Sequence, residues 1–366
     1  MSRSPLHTPL CDLLGIRHPL VLAPMAGGPG TPELVAAVTR AGGLGTVGLA
    51  GLTSERVRDA VARALELAGP PIAVNVQLAS AEPGTAEPDA VHAVLDPFRR
   101  ELGLPEVGRG GAGPRGAWSD SSPLELLAAG LEAGATVASV ALGDPAEAVD
   151  LARGAGAPLI AAASTVAEAR RCADAGADVV VAQGAEAGGH RTTFAADQAG
   201  APLIGTFALV PLVVDAVDVP VLAAGGVMDG RGLAAALALG AQGAQMGTRF
   251  LFAAEAKVAE PYRQRLLAAR DVDTFVTDAV TGRPARWVRN RVTEGLEGAG
   301  GHLGWGAQRA AVSDVWVAAG EAGEPELLPM LSGQAAALAR DVMPSAEIVD
   351  EVVREAGRAL RGLAGG

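Results

Sequence analysis

Residues 173–182 read Ala173-Asp174-Ala175-Gly176-Ala177-Asp178-Val179-Val180-Val181-Ala182, a helical end, a glycine and an apolar β-branched run in immediate succession. A glycine just past a helix supplies the left-handed turn that stops it, and the residues beyond then enter a strand. The same junction recurs at Ala41-Gly42, Ala133-Gly134, Ala155-Gly156 and Leu239-Gly240. Repeated helix-to-strand junctions of this kind build a parallel sheet from βα units.

Working outward, eight short apolar runs read as strands: Leu20–Ala23, Gly45–Gly48, Ile72–Val76, Val137–Ala141, Leu159–Ala162, Val179–Ala182, Val221–Ala224 and Ala244–Thr248. Strands without polar alternation are those covered on both faces. Helical stretches lie between them, near Pro32–Arg40, Ser54–Ala68, Pro123–Glu132, Pro145–Arg153, Val166–Asp174, Phe207–Val217 and Gly230–Leu239. Eight units in series favour a closed (β/α)8 TIM barrel, although an open doubly wound sheet shows the same alternation. Two segments break the repeat. Residues 79–122, rich in Pro, Gly and small polar residues around a helix near Ala90–Leu102, read as an insertion after strand three. Residues 254–366 read as a helical and irregular cap with a closing helix at Ser345–Leu363, leaving 1–253 as the barrel domain.

Composition limits the partners. Apolar residues make up 49% of the 366 and aromatics only 3%, so the core must be built from Ala, Val and Leu. A net charge of -12 repels phosphate backbones and argues against nucleic acid. Cys11 and Cys172, far apart, give no disulfide framework and point to a reducing, cytoplasmic setting. Arg3, Asp12, Arg17 and His18 interrupt any signal-peptide core, and no run is apolar enough to span a membrane.

Barrel enzymes place their chemistry at the carboxyl ends of strands. Strand one ends in Ala23-Pro24-Met25, which reads equally as a turn. Strand three carries Asn75, whose buried amide needs a hydrogen-bond partner; a cofactor edge would serve, and so would a backbone group. Strand six runs through Gln183 to Gly188-Gly189-His190, where the glycines let the backbone lie flat against a ligand and the imidazole offers acid, base or donor chemistry. Gly300-Gly301-His302 repeats that tripeptide with no strand before it, so position rather than the tripeptide singles out His190.

Strand seven ends in Ala224-Gly225-Gly226 and strand eight in Gln245-Met246-Gly247-Thr248, followed by a helix opening near Asp229-Gly230 in the first case. Bare backbone N–H groups at this pair of strand ends, with a helix N-terminus, read as a phosphate cradle. Gly43-Leu44-Gly45-Thr46-Val47-Gly48 matches G-x-G-x-x-G but follows a helix and enters a strand, the reverse of a dinucleotide fingerprint. Neither a lysine phosphate loop nor a Cys/His metal set is present, and Cys172 reads as a packed thiol within a helix.

Taken together, Ala23-Pro24-Met25, Val74-Asn75-Val76, Gln183 to His190, Ala223 to Arg231 and Gln245 to Thr248 resemble the nitronate monooxygenases, FMN-dependent barrels. Phe98 to Pro105, Leu209-Val210-Pro211, Gly282 to Arg286 and Ser332-Gly333-Gln334 extend the likeness over nearly the whole chain. The resemblance implies FMN contacts from Asn75, Gln183, Gly188, Gly226 and Gln245 to Thr248, with Ala23 to Met25 against the flavin ring and His190 as the catalytic histidine. It implies oxidation of an alkyl nitronate, or a nitroalkane, with O2 to a carbonyl compound and nitrite. Thr192 and the 79–122 insertion depart from the family pattern beside the expected pocket. The same motifs suit an NAD(P)H-dependent FMN enzyme of the enoyl-acyl-carrier-protein reductase or quinone reductase type, and, less well, a flavin-binding protein without turnover.

Overall fold

A computed structural model describes residues 6–111, 113, 121–194 and 203–364. Its main sheet contains β1 (Leu20–Leu22), β2 (Gly45–Gly48), β3 (Ile72–Gln77), β4 (Val137–Ala141), β5 (Leu159–Ala163), β6 (Val179–Gln183), β8 (Val221–Ala224) and β9 (Gly243–Met246). All pairs are parallel, in the order β1-β9-β8-β6-β5-β4-β3-β2, and a bridge between Val21 and Leu44 joins the two ends. The sheet is therefore the expected TIM barrel. Strand ends shift by a residue or two, and Thr248, expected to end the eighth barrel strand, opens a 3-10 turn over Thr248–Phe252.

The pleat explains why these strands carry no polar alternation. Val21, Ala73, Val137, Ile160, Val179 and Leu222 fill the barrel interior. Their neighbours Leu22, Val74, Val140, Ala161, Val180 and Ala223 pack outward against the helices. Burying each Val or Leu contributes about 1.5–3 kcal/mol, so both faces must be apolar for the barrel to hold. Gly176 sits at φ +104° past helix Val166–Ala175, the left-handed stop read from the sequence. Cys172 is fully buried in that helix, and burial pushes its thiol up to about 12.

The N-terminal helix carries no sequence signal. Helix Pro9–Leu14 plugs the barrel floor, placing Leu10, Cys11 and Leu14 in the interior cluster while Gln242 accepts from the Leu10 N–H at 3.0 Å. Six residues are too few for a periodic pattern.

The C-terminal region is not only helical and irregular. It contributes β10 (Thr274–Thr277) and β11 (Ala285–Val288) to a three-stranded antiparallel sheet whose third member is β7 (Gly189–His190). Helices Arg291–Gly298 and Ala307–Ala322 flank this sheet. The insertion supplies helix Pro88–Glu101, whose fully buried Arg99 pairs with Asp96 at 2.9 Å and with Asp314 of helix Ala307–Ala322 at 2.8 Å. The stretch at 112 and 114–120, part of the expected insertion loop, lies outside the described residues. The closing helix, Ser345–Ala364, packs on helix Gly230–Ala238 so tightly that a Cβ on Gly230 would meet Glu355 Cβ at 2.2 Å.

Candidate active site

The barrel ends β8 and β9 lie side by side, with Ala224 in register with Gln245. Beyond them the chain turns away through Gly225 and Gly226, at φ +105° and +74°, and through Gly247 and Thr248. These two turns frame a cleft of about 80 Å³ whose wall also includes Ala23, Gln183 and Gly188. A Cβ on Gly225 would come within 2.9 Å of the Ala187 N, so that turn exists only with bare backbone. The expected helix N-terminus is not part of this cradle. Asp229 already caps it, accepting from Arg231 and Gly232 N–H at 3.0 and 3.2 Å, and Gly230 N–H donates to Glu355. A carboxylate at that position occupies the donors a dianion would need.

Met246 shares β9 with Gln245, but the pleat turns its side chain into the helix-facing core, so only its backbone belongs to the strand end. Pro24 and Met25 are half-buried just beyond the cleft wall that Ala23 forms. Asn75 also lies off this wall. Its Nδ2 donates to Ser139 Oγ at 2.9 Å on the neighbouring strand, a partner that is neither cofactor nor backbone. Two residues on, in the same inward-facing register, Gln77 carries a buried Oε1 without a protein partner.

His190 is held by a second system. Its strand β7 pairs with β11, with His190 opposite Ala285. The Gln183 amide clasps the segment, Nε2 donating to the His190 carbonyl at 3.0 Å and Oε1 accepting from Thr192 N–H at 3.1 Å. Arg191 reaches back to the carbonyls of Gly184 and Gln183 at 2.6 and 2.9 Å, and Arg286 to that of Ala185 at 2.7 Å. Gly188 lies on the cleft wall and Gly189 leads from it into β7, so His190 stands two residues from the cradle.

The imidazole packs edge-on to Trp305 at 5.0 Å and to Trp287 at 6.2 Å between ring centroids. Its Nε2 lies 2.9 Å from Thr281 Oγ1. Burial, with Arg309 and Arg283 adding like-charge repulsion, pushes its pKa from 6.5 down to about 3. The ring is therefore neutral at working pH, with one donor and one acceptor nitrogen.

Several wall residues carried no sequence signal of their own. Glu186 lines the cleft and ties Thr206, accepting from its N–H at 2.9 Å and its hydroxyl at 2.7 Å. Ala187, Val227 and Met228 also line it, as do Gly333 and Ala335 from the cap. Ser332-Gly333-Gln334 stood out only as part of a family likeness, because nothing local assigns a glycine to a wall built by strands far earlier in the chain. Among the described residues no group of three or more His, Cys, Asp or Glu could hold a metal ion, and no helix is long and apolar enough to cross a membrane.

Comparison with known proteins places this geometry. The nitronate monooxygenase family model matches residues 7–355. A probable nitronate monooxygenase of Staphylococcus aureus (strain Newman) is 34% identical over 356 residues, covering 96% of this chain and 98% of that protein. Among solved structures, nitroalkane oxidase from Streptomyces ansochromogenes is similar at 33% identity and a TM-score of 0.84, covering 97% of this chain and 100% of the other. FabK from Thermotoga maritima is similar at 28% identity and a TM-score of 0.76, with coverage of 100% and 99%. The chain belongs to the nitronate monooxygenase family of oxidoreductases.

Proposed function

We propose that this enzyme binds FMN at the carboxyl end of its barrel and oxidises alkyl nitronates with O2 to a carbonyl compound and nitrite. The observation that carries the reading is the pair of bare turns, Gly225-Gly226 and Gly247-Thr248, at adjacent strand ends two residues' reach from His190. In this reading residues 1–253 hold the cofactor, and 254–366 supply a cap over it and a closing helix that packs on the barrel. The donor set fits a phosphate monoester: two glycine turns without side chains and one threonine hydroxyl. The partnerless Gln77 Oε1 suits the N–H-bearing edge of a flavin ring held over the barrel. Ala23, Pro24 and Met25 would lie along that ring, with Asn75, Gln183, Gly189, Ala224, Gln245 and Met246 shaping the backbone around it. Bound flavin supplies the electron transfer between nitronate and O2.

The protein's own part falls to His190. Thr281 Oγ1 lies 2.9 Å from Nε2 and donates to the Arg283 carbonyl at 3.4 Å, tying the ring to the cap. In this reading the neutral imidazole hydrogen-bonds the anionic nitro group through its single N–H. A ring whose conjugate acid has a pKa of about 3 is too weak a base to deprotonate a neutral nitroalkane. The preferred substrate is accordingly the preformed nitronate. Free, separately buried Cys11 and Cys172 agree with a reducing, cytoplasmic setting.

The test is anaerobic mixing of the purified flavoprotein with propyl nitronate and, separately, with NADH. Nitronate should bleach the flavin and, once O2 is admitted, release nitrite. Rapid bleaching by NADH with no nitrite from nitronate would overturn the proposal in favour of a reductase.

A further inference from the structure

We infer that the cap segment Gly333–Ala335 is a further part of the cofactor site, walling its phosphate end and aiming the Thr248 hydroxyl into it; this rests on the FMN reading. Gly333 and Ala335 line the same cleft as Gly225, Gly226 and Thr248, although they come from the far end of the chain. The Gly333 N–H donates to Thr248 Oγ1 at 2.9 Å. A hydroxyl has one proton and two lone pairs. With one lone pair engaged by Gly333, and no other partner for that oxygen among the described residues, its proton is directed to an acceptor in the cleft. A phosphate oxygen is that acceptor. Without Gly333 the hydroxyl could rotate and offer a lone pair instead, which repels an anion.

The segment is built for this approach. A Cβ on Gly188 would fall 2.4 Å from the Gly333 N, so the two backbones meet with nothing between them. Gln334 N–H donates to the Glu186 carbonyl at 2.9 Å, fixing the segment to the loop after β6. Its other end is tied to the cap sheet, where Leu331 bridges Trp287 of β11 and its carbonyl accepts from the Tyr262 hydroxyl. The cap thus reaches the cradle through a short strut braced at both ends.

The test is a double-mutant cycle read as FMN affinity of the full chain, by fluorescence titration of flavin-stripped protein. A Cβ at Gly333 meets Glu186 O and Thr248 Oγ1 at 3.0 Å, so the segment or the Thr248 hydroxyl must give by a few tenths of an ångström, enough to strain the hydrogen bond between them. Gly333→Ala and Thr248→Val should each weaken FMN binding by about tenfold, the scale of one charge-assisted hydrogen bond. The double variant should be no weaker than either single one. Thr248→Ser, which keeps the hydroxyl, should retain both wild-type affinity and its sensitivity to Gly333→Ala. Additive losses, or wild-type affinity in Gly333→Ala, would overturn the inference. Hydrogen exchange on the wild-type chain tests it without substitution. Adding FMN should slow exchange in 331–336 together with 225–228 and 246–249. Slowing in the barrel segments alone overturns this inference and leaves the FMN reading standing; slowing in neither overturns both.

Discussion

The chain contains Gly-Gly-His twice, at 188–190 and at 300–302, and the two copies have nothing in common but their letters. The first enters an antiparallel strand, is clasped by Gln183 and presents a neutral ring between two tryptophans beside the cradle. The second staples the insertion to the cap: the His302 carbonyl accepts from Thr85 and Ala86, its Nδ1 accepts from Gly304 N–H at 2.9 Å, and its Nε2 lies 3.5 Å from Asp278. A histidine becomes chemical through what confines it. Where the partners are a carboxylate and backbone groups, it stabilises; where they are aromatic walls and cations, it is kept uncharged, as the proposed role at the site requires.

That contrast is broken most severely by His190→Ala, which should lower kcat/KM for a nitronate by about 10²–10⁴-fold while the flavin stays bound. Unchanged kcat/KM with full flavin content would make the two histidines equivalent. Next in size is Trp305→Ala. Removing a buried indole costs about 3 kcal/mol of stability, read by chemical denaturation. Because burial is the main cause of the low His190 pKa, the same change should raise it toward 6.5 and give kcat/KM an acid limb the wild type lacks. His302→Ala should be the mildest, at about 1 kcal/mol in the denaturation midpoint with kcat/KM unchanged.

Acid separates the two sites by window. His190 has a folded pKa below its ordinary 6.5, so its contribution to stability is full above that value and is lost as pH falls toward 3. At the other site the hydrogen bond from His302 lowers the Asp278 pKa against the opposing effect of burial. Its contribution is full above the ordinary 3.8 and fades only below it. The change of the denaturation midpoint with pH between 4 and 6.5 should therefore be altered by His190→Ala and not by Asp278→Asn.

The barrel was legible because its information is local. Each helix end, glycine and apolar run is read within ten residues, and the cradle glycines follow their strands directly. What stayed hidden was built by long-range pairing. A two-residue edge strand such as β7 has no signature until β11 is set beside it. Arg191, Arg283 and Arg286 look like surface charge in a sequence, yet all three are buried, each donating to carbonyls of residues 183–194 around His190. The helix N-terminus at Gly230 was misjudged for a related reason. The sequence places Asp229 at the opening of that helix, and its carboxylate takes the N–H groups itself.

The proposed role of a half-buried, neutral His190 as donor to an anionic nitro group is tested most directly by the pH dependence of kcat/KM with preformed propyl nitronate. The account predicts no inflection from an imidazole between about pH 5 and 8, because a group with a pKa near 3 does not titrate there. An inflection near the ordinary 6.5 that disappears in His190→Ala would contradict it.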